Sequence, residues 1–437
     1  MLPSLCSALV LLTLTQPGPA AAAPTYHDDI APLIAQHCLS CHVPGGGAPF
    51  PLLTYRDVRR RGRQIVEVTA SGFMPPWLPK RGNELWRNAR KLSSTELRTL
   101  HDWVAQGRKR GTPRGNEPTA ITTDWRLGKP DLVVTTDAPF TVPSEGLGLL
   151  RTVVLPVPTV STESRPTITG IRAVELLATN PAALHGALFL ADDTDLARAL
   201  DAATPETGYP SMGSIGLNVI GSLGGWNIGS PMQPWPAGYA WPLTAGTLSA
   251  QLHLNPTGKE EEVGISLGLH YATDPDLLPI TSVVLSSLTL DIPAGANAYE
   301  TGAHYETPVD LHLLGMTPLA HLVCTTMQVT LQLPDGTSRS LLQIDDWDMN
   351  WQQPYQYEQP QLIPKGSRIT TKYRYDNSDG NPRNPYSPPR PVKPGQAPRG
   401  EVAILVLYVA PTDASQLPTI EASNHANFRR ALEERQR

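Results

Sequence analysis

Two cysteines three residues apart, followed directly by a histidine, are the part of this chain best suited to do chemistry. Residues 36–50 read QHCLSCHVPGGGAPF, so the motif is Cys38-Leu39-Ser40-Cys41-His42. Two thiols at this spacing serve as a disulfide or redox pair, as half of a zinc site, or as the attachment point of a c-type haem. Each alternative requires a different partner from the rest of the chain.

The surrounding sequence favours haem. Structural zinc needs four ligands, and neither a second pair of cysteines nor a His-x-His cluster lies near the motif in sequence. A thioredoxin-like pair requires a βαβ setting, whereas Ile30, Leu33 and Ile34 have the spacing of a helix. We therefore expect Cys38 and Cys41 to bind the haem vinyl groups and His42 to bind the iron.

A methionine downstream is the candidate for the sixth iron ligand. The stretch SGFMPPWLP places Met74 directly before two prolines, in a segment that cannot continue as a helix. Ligation of haem iron by Met and His raises the reduction potential and favours electron transfer over oxygen binding. A buried, gap-filling side chain is the commoner role of methionine. His37 and His101 are weaker rivals for the ligand position.

Helices are expected to position these residues, within a unit that spans residues 24–118. The motif follows one helical stretch, and a second runs from Tyr55 to Ser71. In LSSTELRTLHDWVAQG, Ser93 and Glu96 have the spacing of a capping box, before apolar residues that repeat on one helix face. This order of helix, ligand-bearing loop and closing helix is typical of a small cytochrome c domain.

The rest of the chain has an all-β pattern. From about residue 125, short runs rich in Val, Ile, Leu and Thr alternate with Gly, Pro, Asp and Asn. We predict two antiparallel β-sandwiches of jelly-roll type, at 119–292 and 293–411, followed by a charged terminal helix or frayed end at 412–437. The predicted fold class is thus a small helical domain joined to an all-β double sandwich.

Composition and charge exclude some functions. The chain has 437 residues, enough for two to four domains. Its 45 prolines and 35 glycines suit loop-rich β architecture. The net charge is −5, and the arginine cluster at 59–61 is short. We therefore expect no nucleic-acid partner.

The N-terminus predicts export. Residues 2–14 are apolar and too short to span a bilayer, and they lead into small residues that end at Ala23. We expect a signal peptide at 1–23, although no Lys or Arg precedes the apolar run. The mature protein is then periplasmic or otherwise exported, without an integral membrane segment. Its expected partner is a redox protein or a small electron donor.

Longer stretches resemble a known family. The segments DDIAPLIAQHCLSCHVPGGGAPFPLLTYRD, MPPW and LGKPDLVV occur in that order, and LHGALFLAD, QLHLNPTGKE, PLAHL, DWDMNWQ and YDNSDGNPRNP follow. Together they resemble bacterial proteins that join a cytochrome c domain to a copper type II, ascorbate-dependent monooxygenase-like module. The likeness covers nearly the whole mature chain. It implies two copper ions, one on each β-sandwich.

Several copper ligands that the resemblance implies are missing. The His-His pair of the first site falls at Leu184-His185, and its third histidine is His253 in QLHL. The His-x-His motif of the second site falls at 319–321, which keeps only His321. The strand expected to supply a methionine reads EVAILVL and contains no sulfur. His185, His253 and His321 remain as possible residual copper ligands, and two imidazoles alone make a weak site.

Other polar residues of this region have a simpler interpretation. His270, His304 and His312 fall on strand-like segments, where partly buried strand histidines are the preferred interpretation and substitute ligands the alternative. The acidic residues at 345, 346 and 348 lack EF-hand spacing, and a polar turn is expected there.

Three functions remain open from the sequence. The first is an exported monohaem cytochrome c for one-electron transfer, fused to a degenerate copper-monooxygenase-like double sandwich that has lost dioxygen activation. The second is a working copper monooxygenase that receives electrons from its own haem. The third is a haem-anchored binding or assembly protein without redox turnover.

Overall fold

The computed structural model describes most of the chain. The described residues are 23–44, 46–80, 86–87, 89–113, 125–146, 148–156, 169–192, 194–211, 222–227, 229, 233–242, 247–395 and 400–436. The predicted signal peptide lies outside them, except for Ala23. Within these ranges, every helix is too short or too polar to cross a bilayer.

The N-terminal part is a helical unit. A π-helical turn at Tyr26–Ile30 leads into α1 (Ala31–His37), and α2 (Tyr55–Ala70) and α3 (Ser94–Ala105) follow. The capping box predicted at Ser93 and Glu96 is confirmed, and Thr54 with Asp57 forms another at the start of α2. Reciprocal caps of this kind satisfy the first free N–H groups of a helix and fix where it begins.

The helices of this unit bury a single small core. Trp103 and Leu100 of α3 pack there with Ile30, Ile34 and Val58. The Trp103 indole donates a hydrogen bond to the Lys109 carbonyl at 2.9 Å, so its polar edge is satisfied within the core. Because α1 contributes to this core, the loop that follows it begins from a fixed position.

The remainder is mainly antiparallel β structure with two further helices, α4 (Leu196–Ala202) and α5 (Leu417–Gln436). The strands are β1 (Leu132–Thr135), β2 (Phe140–Val142), β3 (Leu149–Pro156), β4 (Gly170–Ala178), β5 (Leu184–Asp192), β6 (Ser222–Asn227), β7 (Tyr239–Pro242), β8 (Thr247–Leu254), β9 (Glu261–Val263), β10 (Ile265–Ala272), β11 (Leu278–Pro279), β12 (Thr281–Ser286), β13 (Tyr299–Thr301), β14 (His304–Glu306), β15 (Leu311–Leu319), β16 (Cys324–Gln332), β17 (Ser338–Ile344), β18 (Tyr355–Ile363), β19 (Arg368–Tyr375) and β20 (Ile404–Pro411).

Strands β1 to β11 form what we call the first β group. One sheet has the order β1-β10-β4-β7-β11 and another the order β3-β8-β5-β6, while β2 pairs with β9. Leu176 and Leu267 of one sheet share a buried core with Phe189 and Leu252 of the other. The two sheets therefore face each other across one apolar layer.

Strands β12 to β20 form the second β group. The order is β12-β20-β15-β18 in one sheet and β13-β19-β16-β17 in the other, with β14 also paired to β19. Exposed and buried residues alternate along β19, as expected for a sheet with one face in water. The sequence predicts that the first sandwich ends at residue 292. Strand β12 lies before that residue, and yet it pairs with β20 of the second β group.

The sheet with the order β12-β20-β15-β18 joins the two groups, because its two faces are buried in different cores. Along β20, Leu405 and Leu407 pack into the core of the second group, and Val406 and Tyr408 pack into the core of the first. This burial explains the uninterrupted apolar run in EVAILVLYVA. The two groups thus share a central layer.

The helical unit is fastened to the second β group by the segment between α2 and α3. Lys80 N donates to the Gln343 carbonyl at 2.7 Å, and Arg87 N donates to the Gln356 carbonyl at 2.8 Å. Trp86 is buried and stacks on Tyr357, with ring centroids 4.5 Å apart. This contact places the helical unit against the sheets.

The C-terminal segment is helical over Leu417–Gln436, which is one of the two alternatives that the sequence left open. Helix α5 packs on β12, the edge strand of the central sheet. The buried Asn424 accepts a hydrogen bond from Val284 N at 3.0 Å and donates one to the Ser282 carbonyl at 3.0 Å. Its side chain therefore satisfies backbone groups that an edge strand leaves unpaired.

Candidate functional site

The cysteine–histidine motif lies directly after α1. The Ile34 carbonyl accepts hydrogen bonds from the backbone N–H groups of Cys38 and Leu39, so the helix end sets the position of the motif. Both thiols are free. Burial, and then the neighbouring Cys41, raises the pKa of the Cys38 thiol to about 12. The pair is thus not joined as a disulfide in this structure.

His42 has the geometry of a metal-binding imidazole. Its Nδ1 donates a hydrogen bond to the Phe50 carbonyl at 2.9 Å, which fixes the tautomer in which Nε2 carries a lone pair. Burial lowers the pKa of His42, the Phe50 carbonyl opposes this shift, and the nearby Arg61 adds to it. A neutral ring held at Nδ1 by a carbonyl is the usual state of a histidine ligand.

An aromatic ring and a cation cover one side of this histidine. The Phe50 ring lies 4.8 Å from the His42 ring, centroid to centroid. Arg61 belongs to α2, and its guanidinium carbon lies 3.4 Å from the centroid of the Phe50 ring. The imidazole is therefore held by packing as well as by its hydrogen bond, and a positive charge is fixed close to it.

Cys41 faces the first β group. A Cβ built on Gly229 would lie 2.2 Å from the Cys41 Sγ and 3.0 Å from Nη1 of Arg90, so only glycine fits there. Gly46 makes a similar close approach, since its Cβ would lie 2.4 Å from the Cys41 carbonyl oxygen. The loop around the motif is tightly packed against its surroundings.

Met74 follows α2 in a turn. Its backbone N donates to the Val68 carbonyl at 2.9 Å, and its side chain lines a cavity of about 240 Å³ together with Leu92 and Leu97. The lining includes none of Cys38, Cys41 and His42. Met74 as an iron ligand therefore stays a prediction.

The rival ligands in the helical unit have other partners. His37 Nε2 lies 3.0 Å from a carboxylate oxygen of Glu96, which ties α1 to α3. His101 is exposed beside Asp102, with 3.1 Å between its Nδ1 and the carboxylate. His37 is thus engaged between two helices, and His101 lies at the surface of α3.

The three histidines implied as residual copper ligands come together from distant parts of the sequence. His185 lies at a bulge in β5, between Leu184, which pairs with Leu254, and Gly186, which pairs with His253 of β8. A bulge places an extra residue beside its neighbours on the partner strand. His321 follows the end of β15, in the other β group.

His253 lies within electrostatic reach of both His185 and His321. Burial, followed by the charges that these two histidines would carry, lowers the pKa of His253 to about 4. Burial also lowers the pKa of His185 and of His321, against opposing hydrogen bonds to the Met349 and Gly400 carbonyls. All three rings are therefore neutral at pH 7.

Proximity does not amount to a coordination shell. Among the described residues, no group of three or more His, Cys, Asp or Glu side chains is placed to hold a metal ion. Leu184 is fully buried in the core of the first β group, and Ala403 is buried in that of the second. These apolar side chains occupy positions where the resemblance implied ligands.

Two of the three other strand histidines, and the acidic run, have protein partners. His270 Nε2 lies 2.8 Å from a carboxylate oxygen of Glu175 in a buried pair, and His312 Nδ1 lies 2.8 Å from the Tyr239 hydroxyl. Asp346 accepts from Arg383 at 2.7 Å, while Asp348 caps a short turn of helix. The polar turn predicted at 345–348 is confirmed.

Sequence reasoning missed one acidic residue that holds the His321 loop. Glu401 is buried, and its carboxylate accepts hydrogen bonds of 2.7 Å from the backbone N–H groups of His321 and Val323. Burial raises the pKa of Glu401 to about 8, against the effect of these hydrogen bonds. An isolated Glu in PRGEVA carries no pattern that could have indicated this role.

Comparisons with known proteins show little. No family model matches the chain, and no curated protein matches it. A chain from the T13 IBDV viral particle is 11% identical over 64% of this chain and 69% of that chain, with a TM-score of 0.18. One from the infectious bursal disease virus Gt strain is 10% identical over 64% and 73%, with a TM-score of 0.15. Likeness this low carries no argument about fold or function.

Proposed function

We propose that this protein is an exported monohaem c-type cytochrome that transfers single electrons. The observation that carries the proposal is the orientation of His42, the residue that follows the Cys38–Cys41 pair. Its Nδ1 donates a hydrogen bond to the Phe50 carbonyl, which leaves Nε2 available. Two free thiols and one pre-oriented imidazole are the donor set that c-type haem requires.

Each residue has a defined part in this proposal. Bound haem supplies a one-electron iron couple. Cys38 and Cys41 would hold the group covalently, and His42 and Met74 would be the protein ligands of its iron. Phe50 keeps the imidazole oriented, and Arg61 places a positive charge nearby, which favours the reduced state.

We further propose that the β groups are a jelly-roll double sandwich of the copper-monooxygenase-like type that no longer activates dioxygen. The apolar side chains at ligand positions support this proposal, because the few imidazoles that remain make at most a weak copper site. The donor and acceptor of the electrons are a redox protein or a small molecule.

A working copper monooxygenase is the second candidate. The observation in its favour is the approach of His185, His253 and His321, from two β groups, to within electrostatic reach of one another. Two of these rings are held by backbone carbonyls, which is how ligand histidines are oriented. A binding or assembly protein without redox turnover is the third candidate.

The test of the haem proposal uses covalent attachment. The mature chain is expressed in a strain that matures c-type cytochromes, and the pigment is extracted with acidified acetone. We expect the haem to stay on the protein, and to be extractable or absent when Cys38 and Cys41 are both replaced by Ser. Cys324→Ser, at a buried cysteine far from the motif, is the control. A colourless wild-type protein would refute the proposal.

Copper content separates the first two candidates. The purified protein is loaded with copper, dialysed and analysed for metal. We expect at most one weakly held copper per chain and no ascorbate-driven oxygen consumption. Two coppers that survive dialysis, with copper-dependent oxygen consumption that His253→Ala abolishes, would establish the oxygenase instead.

A further inference from the structure

A small cavity lies where the helical unit and both β groups meet. Its volume is about 70 Å³. One water needs about 10–15 Å³, so the cavity holds roughly five groups of that size. The lining side chains come from the segment between α2 and α3, from β4 to β7, and from β18 and β20. They include Trp77, Arg87, Arg90, Trp235, Trp241 and Tyr408.

The described lining of this cavity is positively charged. Arg87 and Arg90 line it, and none of the described lining residues carries a carboxylate. Arg90 donates to the Gly229 carbonyl at 3.0 Å and to the side chain of Gln353, and Arg87 donates to the Pro234 carbonyl at 2.9 Å. All three acceptors are neutral, and within the described chain neither arginine has an ion-pair partner. A cation largely removed from water is costly unless an anion accompanies it.

Hydrogen-bond donors also exceed acceptors here. Nε1 of Trp77, Nε1 of Trp241 and Nε of Arg90 are buried, and each is without a partner among the described residues. The groups in the same state that can accept are Oε1 of Gln356 and the hydroxyl of Tyr355, which can also donate. A flip of the Gln356 amide would place its NH2 group there as a further donor. A ligand that only accepts, such as a carboxylate, satisfies this set.

The aromatic walls of the cavity provide an apolar contact surface for the non-polar part of a small ligand. Trp235 and Tyr408 have ring centroids 5.2 Å apart, and Trp241 lies 6.1 Å from each. We propose that the cavity binds a small organic carboxylate of the size of acetate or lactate, with Arg90 as the charge partner and the indole N–H groups as donors. This proposal does not depend on the haem.

The experiment measures binding of sodium acetate and sodium lactate to the full mature protein by calorimetry and by tryptophan fluorescence. Sodium chloride at equal ionic strength and acetamide, which is neutral, are the comparison solutes. The variants are Arg90→Gln, which removes the charge, and Trp77→Phe, which removes the indole N–H and keeps a smaller aromatic ring. Arg60→Gln, on the exposed face of α2, is the matched control.

We expect saturable one-to-one binding of acetate or lactate, little affected by Arg60→Gln. Arg90→Gln should weaken it about 10- to 100-fold, the cost of losing a charged hydrogen-bond partner. Trp77→Phe, the milder change, should weaken it without loss of folding. Equal binding of acetamide, no saturable binding, or unchanged affinity in both variants would overturn the proposal.

A carboxylate of the haem itself is the other source of the same chemistry. The variant with both Cys38 and Cys41 replaced by Ser is therefore titrated beside the haem-loaded protein. Binding in both forms supports a free ligand. Binding that appears only in the haem-free variant would assign the site to a haem propionate and overturn the proposal.

Discussion

At the scale of residues, the orientation of His42 links sequence to proposed function. A hydrogen bond from Nδ1 to the Phe50 carbonyl decides which nitrogen is available. The Phe50 ring packs against the imidazole of His42, and Arg61, which lies over Phe50, places a positive charge near that imidazole. The sequence showed the histidine, whereas its partners at 50 and 61 became apparent only when α2 was folded against the loop.

Arg61→Gln should lower the reduction potential of the haem-loaded protein. A fixed positive charge near the iron ligand disfavours the oxidised state, and its removal is worth on the order of 1 kcal/mol in partly screened surroundings. The measurement is a potentiometric titration of the haem absorbance. Arg60→Gln, an exposed neighbour, is the control and should leave the potential nearly unchanged. An unchanged potential in Arg61→Gln would remove this residue from the proposed site.

His253 should make the stability depend on pH. Its folded-state pKa of about 4 lies below the usual value of 6.5, so the unfolded chain binds more protons between these values. The stabilisation is present above pH 6.5 and is lost as the pH falls to 4, by on the order of 3 kcal/mol at most. Denaturant unfolding of wild type and His253→Gln checks this. An equally steep loss of stability in the variant would contradict it.

At the scale of elements, α5 completes the edge of the central sheet. The side chain of Asn424 bonds the backbone of β12 at both Ser282 and Val284. The sequence indicated a terminal helix, but its polar and charged composition gave no sign that one asparagine would be buried against a strand.

Asn424→Ala should destabilise the protein by about 2 kcal/mol or more, because it leaves a buried N–H and a buried carbonyl of β12 without partners. Glu433→Ala, at an exposed position of the same helix, should change the stability little. Urea unfolding of both variants is the measurement. Equal stabilities would mean that water replaces the asparagine side chain.

At the scale of the whole molecule, two features join the parts: the central sheet buried on both faces and the segment that carries Trp86 onto β18. Trp86 is 8% exposed and stacks on Tyr357. The helical unit is thus packed on the sheets, and the cavity lined by Arg90 exists only because of this packing.

Trp86→Ala should loosen the helical unit without unfolding the sheets. Removal of a buried tryptophan costs about 3–5 kcal/mol, and here the loss falls on the contact between units. Hydrogen exchange measured by mass spectrometry should show faster exchange in α2 and α3 and unchanged exchange in β19. Phe73→Ala, at an aromatic residue 59% exposed, is the control. Faster exchange in every element would show that the contact stabilises the whole chain.

The sequence by itself determined the local features: the haem-type motif, the capping box at Ser93 and the change from helical to strand periodicity. These depend on spacing within a few residues, which side-chain chemistry and backbone geometry fix directly. The apolar run in β20 also predicted a strand. Because the run is uninterrupted, it could not show that the two faces of the strand enter different cores.

Only the tertiary structure decided which distant residues meet. The approach of His253 to both His185 and His321, the buried Glu401 that holds the His321 loop, and the position of Arg90 beside Cys41 all join segments that lie far apart along the chain. Such contacts depend on strand register and on the packing of one sheet against another. No local pattern encodes these, since a shift of one residue in register turns a side chain to the opposite face.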